Sequence, residues 1–236
     1  MLLSLKTNLY QLYSVNNGMK KTAIALGLMI ALSAASASFA QQNSTMSGTG
    51  TTNMVGKESK SGFDRMNKKG AADVAAIKPS STKLSSADQA LMMEVAKGGM
   101  MQLELSKVAV EKASNEEVRQ LAQAEVDEQT GLSAKLKEIA QAKGITLPSA
   151  PDAETQTNIT KMQAMSGMSF DRAYVAESGV KGHEKLDAVM SKVKSNASDG
   201  NLKSVAQAAH PLVKAHLKVS REILSKMSGG SAGSGR

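Results

Sequence analysis

Between residues 85 and 228 apolar residues recur every three to four positions in four long runs, with polar residues filling the intervals. The first run, about 86–113, sets Leu91, Val95, Gly99, Gln102, Ser106 and Ala109 on one stripe. Ser85 or Ser86 can cap it, and Asp88 suits the positive end of a helix. Its small residues Gly98, Gly99 and Ser106 would let a neighbouring helix come close. The second run opens at Asn115-Glu116-Glu117 and stops at Gly144, with Val118, Leu121, Glu125, Glu128, Leu132 and Ile139 facing inward and Gln129 alongside. A loop with Pro148 and Pro151 follows, then a short helix over about 153–165. The third run starts at Ser169-Phe170-Asp171 and frays near Asn196; at a period of 3.5, Ala173, Ala176, Val180, His183 and Met190 share its stripe. The fourth, about 200–228, lines up Val205, Ala209, Leu212, His216, Val219 and Ile223. Pro211 lies inside it and predicts a kink or break near His210, which should be half exposed.

No strand pattern competes with these helices. Four helices of similar length, two short connections and one long one predict an all-α fold. The arrangement expected is an up-down-up-down four-helix bundle, with the short extra helix between helices two and three. Two further segments flank it. Residues 41–84, rich in Ser, Thr, Gly, Asn and Lys, read as a flexible linker with at most a turn of helix near Ala71–Ile77. Residues 229–236 read as a disordered Gly/Ser tail.

The N-terminus changes the picture from a cytosolic bundle to an exported one. Met19-Lys20-Lys21 is a basic n-region, Thr22–Ala35 a short apolar core, and Ser38-Phe39-Ala40 a small-x-small cleavage signal. Residues 19–40 are thus expected to be a signal peptide, cleaved near Ala40 to leave a periplasmic or secreted chain. Residues 1–18 are expected to be a non-native extension ahead of it. The apolar stretch is too short to span a bilayer, so no transmembrane segment is expected in the mature chain. The chain has no cysteine, which rules out disulfides and thiolate chemistry. Of 29 Lys and Arg, only Lys6, Lys20 and Lys21 precede residue 41, and none of the 21 Asp and Glu does, so the mature chain carries +5. That mild excess is spread along helices, and with three Phe, three Tyr and no Trp there are few rings to stack on bases. Nucleic-acid binding is not expected.

Counting outward from the two hairpin loops brings Gln102, Glu125, Glu128, Gln129, His183 and His216 to one level at the midpoints of their helices. Buried carboxylates need protons, hydrogen bonds, water or a cation. Glu125, Glu128, His183 and His216 have the donor types of a non-haem iron, manganese or zinc site. The other reading is a hydrogen-bonded core layer, which Gln102 and Gln129 favour because amides are poor metal ligands.

Several short motifs carry a resemblance. They are Gly98-Gly99 with Glu104-Leu105, Phe170-Asp171 with Tyr174 and His183, and Pro211 with His216-Leu217. Over about Ser86–Lys226 the chain resembles a family of uncharacterised exported bacterial proteins with a ferritin-like four-helix domain, commonly labelled outer membrane proteins. The resemblance implies a ferritin-like bundle, a stress or envelope role and an envelope protein as partner. The family usually has Glu where this chain has Gln102, and Asp-His where it has Glu128-Gln129, so two ligands are lost here.

Three functional classes follow. The first is an exported, non-enzymatic helical bundle whose central layer binds a metal weakly. The second is a ferritin-like metal-dependent oxidase or peroxide scavenger. The third is a Cu(I) carrier using Met162, Met165 and Met168, whose M-x-x-M-x-x-M spacing suits thioether ligation, although methionine equally fills gaps in helical cores. No Gly-rich phosphate loop and no strand-borne Ser/His/Asp set is present, which sets aside nucleotide and hydrolase readings.

Overall fold

A computed structural model describes residues 53–229. The helices begin where side chains can satisfy their first amide groups. Ser85 Oγ accepts from Asp88 N at 3.1 Å to open α2 (Ser86–Lys112). Asn115 Oδ1 accepts from Val118 N at 3.2 Å to open α3 (Glu116–Ala142). Asp152 Oδ1 accepts from Thr155 N at 3.0 Å to open α4 (Ala153–Gln163), the short helix in the long connection. Gly144, at φ +71°, ends the second of these in the left-handed conformation that glycine adopts without strain. All-α holds for these residues, except for one two-residue antiparallel ladder, β1 (Met54–Val55) with β2 (Glu58–Ser59).

The third run is not one regular helix. It comprises α5 (Gly167–Tyr174), a π-helical segment Val175–Gly182, and α6 (His183–Asn196). Its buried stripe runs Phe170, Tyr174, Ser178, Gly182, Leu186 and Met190, so Ala173, Ala176 and Val180 are off the inward face. The physical reason is the repeat. A step of four would drift around a helix of 3.6 residues per turn, and the wider i→i+5 turns of the π segment absorb that drift. His183 and Met190 keep their inward positions, because regular helix resumes at His183.

The fourth run, α7 (Gly200–Gly229), continues through Pro211 without the expected break. Pro211 and Gln207, whose carbonyl loses its usual donor, both lie on the exposed face where water can substitute. His210 is buried rather than half exposed, and its Nε2 lies 2.7 Å from Asp187 Oδ1.

The larger correction is before residue 85. Residues 60–75, expected to be linker, form α1 (Lys60–Ala75), capped by Ser59 and packed across α3 and α7. Phe63 and Val74 are buried by it. Sequence pattern understated this helix because only a few of its residues are apolar and glycine interrupts it. That glycine is the reason it can dock: a Cβ on Gly70 would lie 2.1 Å from Leu212 Cδ1. The 1–18 extension, the 19–40 signal peptide, the first part of the linker and residues 230–236 of the tail lie outside the described residues.

α2 packs against α3 and α6, and α7 packs against α6 and α3. The apolar interior divides in two. One cluster gathers Leu91, Val95, Leu132, Leu136, Leu186, Met190, Val205 and Val213. The other gathers Phe63, Leu105, Val118, Leu121, Phe170, Tyr174, Val219 and Ile223. Each long helix places buried polar side chains between the two clusters: Gln102 on α2, Glu125, Glu128 and Gln129 on α3, Ser178 and His183 on the third run, and His216 on α7. Among the described residues, no helix is long and apolar enough to cross a membrane.

Candidate metal centre

Glu125 and Glu128 are three residues apart on α3, a spacing that turns both carboxylates to the same face. His183 enters from the start of α6 and His216 from the middle of α7. His183 Nε2 lies 2.6 Å from Glu125 Oε1. His216 Nδ1 lies 2.5 Å from the same oxygen and 3.1 Å from Glu128 Oε2. The two imidazoles meet edge to face with centroids 5.8 Å apart. All four side chains are buried, Glu128 the least so at 7% exposure.

Each histidine is held from behind. Ser178 Oγ donates to Gln102 Oε1 at 2.5 Å, which orients the amide so that Gln102 Nε2 donates to the Ser178 carbonyl at 3.0 Å. The same Nε2 lies 3.1 Å from His183 Nδ1, which is also 3.1 Å from the Ser178 carbonyl. The π segment makes room for this: a Cβ on Gly182 would lie 2.7 Å from Gln102 Nε2. His216 is held by α1. Its Nε2 lies 2.6 Å from Asn67 Oδ1, and the Phe63 ring leans on it at 5.5 Å between centroids.

Burial disfavours charge at every one of these groups, and what survives depends on the partners. Burial would raise the Glu125 carboxyl, but the His183 and His216 imidazoles beside it hold it well below the usual carboxylate range. Burial does raise Glu128, because only His216 pulls strongly the other way. Burial would lower His216, but Glu125 and Glu128 outweigh it and push the imidazole up to about 10. His183 is also raised, Glu125 overcoming desolvation. Burial pushes the Tyr174 phenol up, with Glu125 adding to it, and the hydroxyl is engaged with Ser106 Oγ at 2.8 Å.

Hydrogen bonds within the layer do not satisfy it. Glu125 Oε2 and both oxygens of Glu128 are buried without a hydrogen-bond partner among the described residues. His216 Nδ1 is close to both carboxylates by distance, yet its ring geometry makes an aligned hydrogen bond to neither. Unpartnered buried oxygens cost about 1–3 kcal/mol each, more when charged. One donor atom from each of Glu125, His183 and His216 lies within 4.8 Å of the others, close enough for a single cation to touch all three. The donor set, two imidazole nitrogens with carboxylate oxygens, fits Fe(II), Mn(II) or Zn(II).

Gln129 is buried on the same level with its Oε1 unpartnered, facing Gly99 on α2. Met162 is buried in the core, whereas Met165 and Met168 are 37% and 68% exposed, so that run divides between interior and surface. Asn67, Phe63 and Ser178 were missed by sequence reasoning. The signal for the first two was there in weak form: Phe63, Gly70, Val74 and Ile77 keep the spacing of one helical face. A cleft of about 350 Å³ between α1 and α3 leads toward the site, with Asn67, Asp64, Asp127 and Glu128 among its walls.

Neither the curated proteins nor the solved structures contain a match to this chain. Residues 74–223, covering α2 to α6, most of α7 and all four central Glu and His side chains, match the family described as Domain of unknown function (DUF4142), and the chain belongs to that family.

Proposed function

We propose that the chain is an exported bundle of ferritin-like four-helix topology that binds one divalent transition-metal ion through Glu125, His183 and His216, with Glu128 beside them. The observation that carries this reading is the buried meeting of two imidazole nitrogens and a carboxylate oxygen within 4.8 Å, next to carboxylate oxygens that no protein group satisfies. A hydrogen-bonded layer without a cation would leave those oxygens costly. The topology is supported by the pairing of α2 with α3 and of α6 with α7 around the polar layer. Export is supported by the basic, apolar and Ser38-x-Ala40 sequence of residues 19–40.

A bound iron, manganese or zinc ion would supply a Lewis-acid centre, and iron or manganese also a redox one. The chain's own groups confine what reaches it. Phe63 and Asn67 cover His216, all four central side chains are buried, and Glu128 is among the walls of the α1–α3 cleft. That burial favours a small-oxidant reaction, oxidase or peroxide-scavenging, as the second reading over a larger organic substrate.

Elemental analysis of protein purified without chelator tests the reading, with melting measured before and after chelation. Binding only to the native state raises stability by RT ln(1 + [L]/Kd), about 2.7 kcal/mol at a hundredfold excess over Kd. The expected result is near-stoichiometric metal and a chelator-dependent melting temperature, both lost in His183→Ala. A metal-free native chain indifferent to iron, manganese, zinc and chelator would overturn it.

A further inference from the structure

His216 offers either ring nitrogen to a metal, and which one is presented depends on what holds the other. The holding group comes from α1, which lies almost wholly before the residues matched by the family. Asn67 Nδ2 donates to the Phe63 carbonyl at 3.0 Å, one turn back along the helix. That bond commits the amide nitrogen, so the carbonyl Oδ1 is the atom facing His216 Nε2, at 2.6 Å. Oδ1 can only accept, so Nε2 must carry the proton. The remaining nitrogen, Nδ1, lies 2.5 Å from Glu125 Oε1 and 3.1 Å from Glu128 Oε2, and it presents a lone pair there once a metal displaces its proton. Phe63, leaning on the imidazole at 5.5 Å, limits rotation of the ring.

We propose that Asn67 is a positioning residue that fixes His216 as an Nδ1 ligand, so that α1 is a working part of the metal site rather than a cover. This rests on the metal reading above. Outer-shell partners of ligating histidines are commonly worth 10–100-fold in metal affinity, and an asparagine carbonyl in that role is weaker than a carboxylate would be.

The test uses the full chain labelled with 15N-histidine and titrated with Zn(II), which is diamagnetic. Long-range 1H–15N correlation should show His216 Nε2 still bearing its proton and Nδ1 shifting on zinc addition. Zinc at Nε2, or a proton kept on Nδ1, would overturn the proposal, and this arm needs no variant that might fail to fold. In parallel, Zn(II) affinity is measured for wild type, Asn67→Ala and Asn67→Asp, with the melting of each metal-free protein. The expected result is a Kd raised about 10–100-fold in Asn67→Ala and restored to wild type or tighter in Asn67→Asp. A lower melting temperature with unchanged Kd would mean that Asn67 is merely structural. Zinc binding by wild type that Asn67→Ala leaves intact removes the positioning role alone. A wild-type chain that takes up no zinc removes the metal reading and this proposal together.

Discussion

Asp171, in the first turns of α5, accepts from Ser114 in the α2–α3 loop: its Oδ1 takes the Ser114 amide at 3.0 Å and its Oδ2 the Ser114 hydroxyl. Asp88, in the first turn of α2, does the same for Ser198 in the α6–α7 loop, at 3.0 Å to the amide and 2.5 Å to the hydroxyl. Each helical hairpin is therefore clamped at its loop by an aspartate from the start of the other. The reciprocity fixes the level at which the two hairpins face each other, and hence the level at which Glu125 meets His183 and His216.

Removing either clamp deletes hydrogen bonds between a buried aspartate and the amide and hydroxyl of an exposed loop serine. Asp88→Ala and Asp171→Ala should each cost on the order of 1–3 kcal/mol, measured by denaturant unfolding. The clamps lie at opposite ends of α2, so the double variant should be nearly additive. A marked shortfall from additivity would show that the clamps are not independent.

Asp88 also makes an acid-stability prediction. Burial opposes its charge, but the Ser198 and Ser85 hydrogen bonds outweigh that and lower its carboxyl below the ordinary 3.8. A lowered folded-state value means that its stabilisation is present above 3.8 and is lost as pH falls through the folded value. Asp88→Asn should flatten the stability profile in that acid range and leave its shape above pH 5 unaltered.

The metal-free site carries the opposite sign. His216 is raised from 6.5 to about 10, so the stability its charge contributes is present below 6.5 and fades as pH rises toward 10. Chemical denaturation of chelated protein should therefore show stability declining across that window, and His216→Gln should remove most of the slope. Metal binding displaces protons from its ligands, so added Zn(II) should stabilise more at pH 8 than at pH 6.

Gly70 tests whether α1 docks as described. Gly70→Ala places a methyl group 2.1 Å from Leu212 Cδ1, and overpacking of this kind costs about 1–3 kcal/mol. The loss should appear in thermal melting together with weakened Zn(II) binding, because α1 carries Asn67. Unchanged melting would place α1 further from α7 than this packing requires.

The buried pair Lys143–Asp199 (2.7 Å, side chains 0% and 4% exposed) should be strongly asymmetric to mutation. Lys143→Ala leaves Asp199 charged and buried, at a cost of about 3–5 kcal/mol in denaturant unfolding. Asp199 also accepts from the Asn201 and Leu202 amides, which ties the pair to the start of α7.

The sequence by itself determined the helices α2, α3, α4 and α7 and their inward faces, because periodicity and capping residues are local properties. It also brought Gln102, Glu125, Glu128, Gln129, His183 and His216 to one level, because rise per residue converts distance from a loop into height. Tertiary structure decided the rest. The inward register of Phe170, Tyr174, Ser178 and Gly182 follows from a π segment whose Gly179 and Gly182 let Ser220 and Gln102 approach closer than a Cβ there would allow. Two positions with no helix-forming virtue of their own, Gly70 and Asn67, matter only once Leu212 and His216 are opposite them. A contact across more than a hundred residues leaves no periodic trace along the chain, and so the support that Asn67 and Phe63 of α1 give His216 became legible only when the chain was folded.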